Sequence, residues 1–186
     1  MQKMPTIFMR DEVSRGKALA RDEINPLAQW VFDGEGIAYI KWDGTCCAVM
    51  DGKFYRRLNL KQGKPKPEGW VHWSGEGDSG HGWPPVTDHP QDAMHRDAWD
   101  LGGGEFPDGT YELIGPRIQR NPHGVSKNLL IPHVSPSYER GIPVVSFDAI
   151  RNLLAEEIEE GFVWHHPDGR MAKIKRRDFG LPWPVK

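Results

Sequence analysis

A single cation, Lys41, sits between two short apolar stretches, Ile37 to Ile40 and Cys46 to Met50, in the run Lys41-Trp42-Asp43-Gly44-Thr45. Burying an ammonium is costly unless it is paired or neutralised, so a lysine in such a run is awkward for a purely structural protein. The flanking stretches are too short for ordinary helices and read as strands. Asp51-Gly52 is a strong hairpin turn, after which Lys53 to Leu60 returns as the next strand. This pattern predicts Lys41 on or just before the first strand of a hairpin, with Arg56 and Arg57 on its partner. A lysine whose pKa is depressed by burial and neighbouring cations is a nucleophile. Lys-x-Asp-Gly alone is a weak pattern, and what raises it lies farther along the chain.

The remaining elements are mostly short strands. Asp108-Gly109 turns into a strand from Thr110 to Ile114, and Asn128 to Val134 reads as another. Ser146 is placed as the cap of a helix running to about Glu159, with Ile150, Leu153, Leu154 and Ile158 on one face and Gly161 ending it. Phe162 to Trp164 then begins a strand that Pro167-Asp168-Gly169 turns back into Met171 to Lys175. Many short strands and few helices predict an α+β fold of mainly antiparallel sheets. Residues 63–104 are rich in Gly, Pro, Trp and His with little periodicity. They form either a functional excursion or short strands that the pattern hides. Trp70, Trp73, Trp83 and Trp99 argue against simple disorder there.

At 186 residues the expectation is one domain, 1–186, large enough for a real core. A formal net charge of -2 excludes a uniformly basic nucleic-acid binder but not a local basic groove. The cysteines Cys46 and Cys47 are adjacent, which makes no ordinary disulfide framework. The N-terminal residues, with Lys3, Arg10 and Asp11, lack a signal peptide's apolar core. No apolar run approaches the ~20 residues that span a bilayer. A cytoplasmic protein with no membrane partner is expected, and its oligomeric state is left open.

Four segments resemble, in order, the collinear motifs of the covalent nucleotidyltransferases, the superfamily of ATP-dependent ligases and RNA capping enzymes. They are Lys41-Trp42-Asp43-Gly44-Thr45, Tyr111-Glu112-Leu113-Ile114-Gly115, Glu160-Gly161-Phe162-Val163-Trp164-His165 and Lys173-Ile174-Lys175. The match narrows with Asp43-Gly44-Thr45-Cys46-Cys47, Asn121-Pro122-His123-Gly124 and Leu130-Ile131-Pro132-His133. Together these resemble the vertebrate 5′-to-3′ RNA ligase and its bacterial and phage relatives, from about Lys41 to Gly180. The resemblance implies an adenylyltransferase domain without the C-terminal OB domain of DNA ligases and capping enzymes. It also implies an activity in which AMP passes from ATP to a lysine, then to an RNA 5′-phosphate, which is finally joined to a 3′-hydroxyl.

On that resemblance Lys41 is the nucleophile toward the α-phosphate. Lys173 and Lys175, two apart on a strand and therefore on one face, hold that phosphate and neutralise its developing charge. Glu112 and Glu160 supply oxygens for Mg²⁺ or Mn²⁺ or for ribose hydroxyls, with Glu112 implied at the ribose and Glu160 at the metal. Asp43 and Gly44 complete the nucleotide-binding run. Ile40 stands where many RNA ligases carry an acid, so its contact to the base comes from the backbone. Arg57 is the candidate phosphate grip, with Arg56 as the fallback. His133 is placed near the base in preference to Phe147-Asp148, since Ser146 reads as a helix cap.

Each assignment has a plainer structural alternative. Lys41 could be an exposed hairpin lysine, Glu112 and Glu160 strand-edge and helix-end acids, and Lys173 and Lys175 the wet face of a half-buried strand. Cys46 and Cys47 read as small apolar packing residues. His72, His81, His89, His95, His165 and His166 match no standard zinc spacing. Trp70, Trp73 and Trp83 stack on RNA bases or pack a loop. Lys61, Lys64, Lys66, Arg117, Arg120, Lys127, Arg176 and Arg177 form an RNA track or ordinary solvated surface. Acceptors other than RNA, and a catalytically idle nucleotide- or RNA-binding module, are the competing functions.

Overall fold

A computed structural model of the chain describes residues 4–14, 16–74, 80–143 and 145–185. The chain divides into a central unit built on Asp43–His133 and a terminal unit built from Lys3–Trp42 and Val134–Lys186. The terminal unit opens with β1 (Phe8–Ser14) and β2 (Lys17–Ile24), an antiparallel pair, then a single helical turn α1 (Gln29–Phe32) and β3 (Ile37–Ile40). The central segment follows as β4 (Thr45–Met50), β5 (Lys53–Arg56), β6 (Leu58–Leu60), β7 (Val71–Ser74), β8 (Gly80–Trp83), α2 (Ala93–Leu101), β9 (Gly109–Ile114) and β10 (Leu129–Pro132). The chain returns to the terminal unit as β11 (Glu139–Arg140), α3 (Phe147–Glu156), β12 (Gly161–His165) and β13 (Met171–Lys175).

In the terminal unit the strands run β11-β3-β12-β13, every neighbour antiparallel. One face of that sheet buries Ala38, Phe162, Trp164, Ala172 and Ile174 against Ile7, Phe8, Trp30, Val31 and the apolar stripe of α3, Ile150 and Leu154. Along β13 this leaves Lys173 and Lys175 on the opposite face, half-buried, because strand side chains alternate. Phe147 packs edge-on to Phe8 at 5.2 Å and Phe179 at 5.1 Å, so this aromatic belongs to the core. The Ser146 hydroxyl accepts from Ala149 N at 3.3 Å, the expected N-cap. The helix stops at Glu156 rather than near Glu159. There the guanidinium of buried Arg176 donates to the carbonyls of Leu154 and Glu157, satisfying orphan groups of the last turn.

In the central unit one sheet runs β10-β9-β4-β5 and a smaller one β6-β8-β7, again antiparallel. Cys47, Val49, Tyr111, Leu113 and Leu130 point inward from the first sheet onto Ala98 of α2 and onto Phe54. The ring of Phe54 stacks on Trp99 with centroids 5.0 Å apart. Residues 63–104 therefore hold short strands and a helix. Two local expectations change. Strand β3 pairs with β12 and β11, not with β4, so Lys41 follows a strand of a different sheet from the Asp51-Gly52 hairpin. The returning strand also breaks at Arg57, between β5 and β6. Arg57 is thus not on a strand paired with Lys41.

Candidate functional site

In the terminal unit, β3 delivers Lys41 to a defined register. Its backbone N–H donates to Gly161 O at 2.9 Å, and Gly161 in turn lies opposite Lys175 on β13. Gly161 is required here by close approach. A Cβ built on it would lie 2.0 Å from Ile174 O and 2.8 Å from the Lys175 Cα. A glycine thus lies between the Lys41 and Lys175 backbones in that row. The preceding residue, Glu160, is 5% exposed and accepts a charge-assisted hydrogen bond from the Lys41 ammonium, Nζ to Oε2 at 2.5 Å. Lys41 Nζ also lies 3.4 Å from Trp42 O.

The two β13 lysines complete this group. Burial foremost, then the ammoniums of Lys175 and Lys41, push the Lys173 pKa below its ordinary value, with Asp178 opposing. That electrostatic coupling places Lys41, Lys173 and Lys175 near one another, a cluster of cations suited to an anion. The backbone of Lys175 is fixed by a buried acid. Lys175 N donates to Asp178 Oδ2 at 2.8 Å, and Arg10 Nη1 donates to the other oxygen at 3.1 Å. Asp178 is 2% exposed. Sequence reasoning missed this positioning pair; the only available signal was an acid three residues beyond the Lys-x-Lys.

In the central unit, Glu112 is the hub. Its Oε1 accepts from Gly44 N at 2.9 Å, and its Oε2 lies 2.9 Å from His133 Nε2. The other ring nitrogen of His133 is 2.9 Å from Thr110 Oγ1. Gly44 lies so close to β9 that a Cβ on it would be 2.2 Å from Leu113 O. Asp43 N donates to His123 Nε2 at 3.0 Å, and Gln119 Nε2 donates to Gly44 O at 3.3 Å. His123 is thus a structural partner of the Asp-Gly run; its own motif was visible in the sequence, but its role was not. Gln119, Arg120 and Asn121 are successive non-glycine residues at φ 47°, 64° and 54°, a left-handed turn that L-residues adopt at a cost.

Cys46 and Glu112 are directly opposed on β4 and β9. Burial, then the Glu112 carboxylate, push the Cys46 thiol up to about 12, only partly offset by Arg57. It is protonated near neutral pH and is no thiolate nucleophile. Both cysteines are free.

The two arginines separate clearly. Arg56 Nε pairs with the fully buried Asp92 at 2.8 Å, while Asp92 Oδ2 accepts from Thr87 N and Oγ1. Arg57 donates its backbone N–H to Cys46 O at 3.1 Å and lays its guanidinium over the Trp73 ring, 5.8 Å from the centroid. Trp73 stacks in turn on Trp83 with centroids 4.9 Å apart. Ile40 lies on β3, paired with Phe162. The structure therefore brings together Lys41, Glu160, Lys173 and Lys175 in one unit, and Gly44, Glu112 and His133 in the other.

A family model described as RNA ligase 1 matches residues 94–186. That segment contains Glu112, His133, Glu160, Lys173 and Lys175, and it begins after Lys41. A Danio rerio protein named RNA ligase 1 is 39% identical over 84 residues, which are 41% of this chain and 26% of that protein. The Mus musculus protein of the same name is 24% identical over 268 aligned positions that take in 99% of this chain and 82% of the relative. A Rattus norvegicus RNA ligase 1 gives the same identity and coverage.

Proposed function

The chain belongs to the RNA ligase 1 family, and from that premise we propose that it is an ATP-dependent RNA ligase working through a lysyl-AMP intermediate on Lys41. The observation that carries this reading is the pairing of Lys41 Nζ with Glu160 Oε2 at 2.5 Å, beside Lys173 and Lys175. A lysine so placed has an acid to hold its ammonium and two further cations to receive an anionic substrate.

In the first step the neutral Lys41 amine attacks the α-phosphorus of ATP. A P–N bond forms, the bond to the β-phosphate oxygen breaks, pyrophosphate leaves and the amine sheds its proton. Lys173 and Lys175 neutralise the charge that develops on the α-phosphoryl oxygens, which is most of what such a transfer requires. In the second step an oxygen of an RNA 5′-phosphate attacks the same phosphorus, and Lys41 departs with a proton regained. In the third, an RNA 3′-hydroxyl attacks the 5′-phosphorus and AMP leaves.

Glu112, held by Gly44 N and His133, is proposed at the nucleotide ribose, with His133 near the base and the backbone of Ile40 contributing to it. Arg57 is proposed as a phosphate ligand. Glu160 offers one buried carboxylate, a donor that suits Mg²⁺ or Mn²⁺, which complete their shells with waters and substrate phosphates. Such an ion would supply Lewis-acid stabilisation of the phosphoryl oxygens. Among the described residues no helix is long and apolar enough to cross a membrane. The free Cys46 and Cys47 suit a reducing, cytoplasmic compartment.

Intact mass after incubation with ATP and Mg²⁺, beside Lys41→Ala, tests the reading. A gain of one AMP, acid-labile and absent from the variant, supports it. No gain with folded protein, in Mn²⁺ as well, rejects the ligase mechanism in favour of a binding module. Joining of 5′-phosphorylated RNA, but not of the DNA equivalent, then separates RNA from other acceptors.

A further inference from the structure

We propose that Cys46, Glu112 and His133 form a binding site for a thiophilic divalent cation such as Zn²⁺. The three residues come from β4, from β9 and from the position following β10. Their donor atoms, a sulfur, a carboxylate oxygen and an imidazole nitrogen, all lie within 4.8 Å of one another. Tetrahedral zinc, with bonds of about 2.0–2.3 Å, holds its donors about 3.3–3.8 Å apart, so the set closes on an ion with shifts of up to about an ångström.

The outer contacts are those of a ligand set. His133 Nδ1 lies 2.9 Å from Thr110 Oγ1 and Nε2 lies 2.9 Å from Glu112 Oε2; with an ion on Nε2, the ring proton sits on Nδ1 and is donated to the threonine. Metal-bound histidines are oriented by such a second contact. Glu112 is steadied in its turn by Gly44 N on Oε1, at 2.9 Å. The thiol enters as a thiolate, its proton leaving to solvent as the ion arrives.

The donor chemistry selects the ion. Thiolate with imidazole and carboxylate suits Zn²⁺ or Co²⁺ and is poor for Mg²⁺, which prefers oxygen alone. Three protein ligands leave a fourth position open to water or a phosphate oxygen. All three residues are half-buried, so an ion has a path in. No sequence spacing announces the site, because cross-strand register assembles it. Occupancy would withdraw Glu112 and His133 from the nucleotide contacts proposed above, a consequence that rests on that reading; the metal site itself does not.

The test is titration of the full chain with Co²⁺ in excess Mg²⁺, read by absorption and independent of any AMP transfer. One equivalent is expected to saturate a thiolate-to-cobalt charge-transfer band, and Zn²⁺ to bleach it. Cys46→Ser abolishes the band, and His133→Asn weakens binding at least tenfold, the scale on which metal sites lose affinity (roughly 10–100-fold). Absence of the band in the unaltered protein overturns the proposal, as does a band that survives Cys46→Ser. Should that variant fail to fold, unchanged affinity in His133→Asn overturns it equally.

Discussion

Lys41 and Glu160 stand 2.5 Å apart, Nζ to Oε2, as a direct ion pair whose carboxylate is almost wholly buried. This arrangement orients the proposed nucleophile through a charge-assisted hydrogen bond. Glu160→Gln keeps the shape and removes the charge. AMP loading is expected to fall roughly 10²–10³-fold, the scale on which a preorganised electrostatic contact acts. Stability should change less than for a fully buried pair, since the Lys41 side chain is 22% exposed and can turn to water. Single-turnover loading measured beside thermal unfolding checks both halves; unimpaired loading would remove Glu160 from the mechanism.

Lys173 gives a prediction whose sign depends on pH. Its pKa is lowered in the fold, foremost by burial and then by Lys175 and Lys41. The folded state therefore disfavours the charged form relative to the unfolded chain. That penalty is full below the folded pKa and fades as pH rises toward the ordinary value of 10.5, because the folded protein sheds the proton first. Lys173→Met should consequently raise the melting temperature at neutral pH, with the gain narrowing in alkali, and should abolish efficient AMP loading. A destabilised variant at pH 7 would contradict the electrostatic account.

Much of this was legible in the chain. Strand β13, the hairpin at Asp51-Gly52 and the Ser146 cap follow from alternation, a turn dipeptide and a hydroxyl at a helix start, all local signals. The alternation that buries Ala172 and Ile174 also sets Lys173 and Lys175 on the other face. What escaped was long-range. The partner of β3 is β12, far away in sequence, and nothing near Ile37 announces it. Buried Asp178 and Arg176 look like solvated charges until the fold supplies Lys175 N and the carbonyls of α3. In sequence Cys46 reads as a packing residue, and its closeness to Glu112 and His133 arises only through sheet register.

Gly161 should tolerate no side chain. Its backbone lies in the row that runs from Lys41 to Lys175, and an added Cβ would meet Ile174 O at 2.0 Å. The atoms it would meet are β13 backbone, which cannot turn away as a flexible side chain would. Gly161→Ala is expected to cost about 1–3 kcal/mol, the usual range for overpacking, through a forced separation of β12 and β13. Urea unfolding measures that loss. The same shift moves Lys175, so AMP loading should fall in the fraction of variant that remains folded.

Arg56 and Arg57, adjacent in the chain, should fail in opposite ways. Arg56 is held by Asp92, which is 0% exposed, and removing it leaves a buried carboxylate without its paired guanidinium. Arg56→Ala is therefore expected to destabilise by about 3–5 kcal/mol, as when one member of a buried pair is deleted. Arg57 makes a cation–π contact with the half-exposed Trp73, worth about 0.5–1 kcal/mol at such a site, so Arg57→Ala should unfold close to the parent. If Arg57 grips a nucleotide phosphate, its loss appears instead as weaker ATP binding and slower loading. Denaturation and loading measured on both variants separate anchor from ligand. An Arg57→Ala protein that loads AMP normally would return that residue to structure, and an Arg56→Ala protein of parental stability would free it to be the phosphate grip.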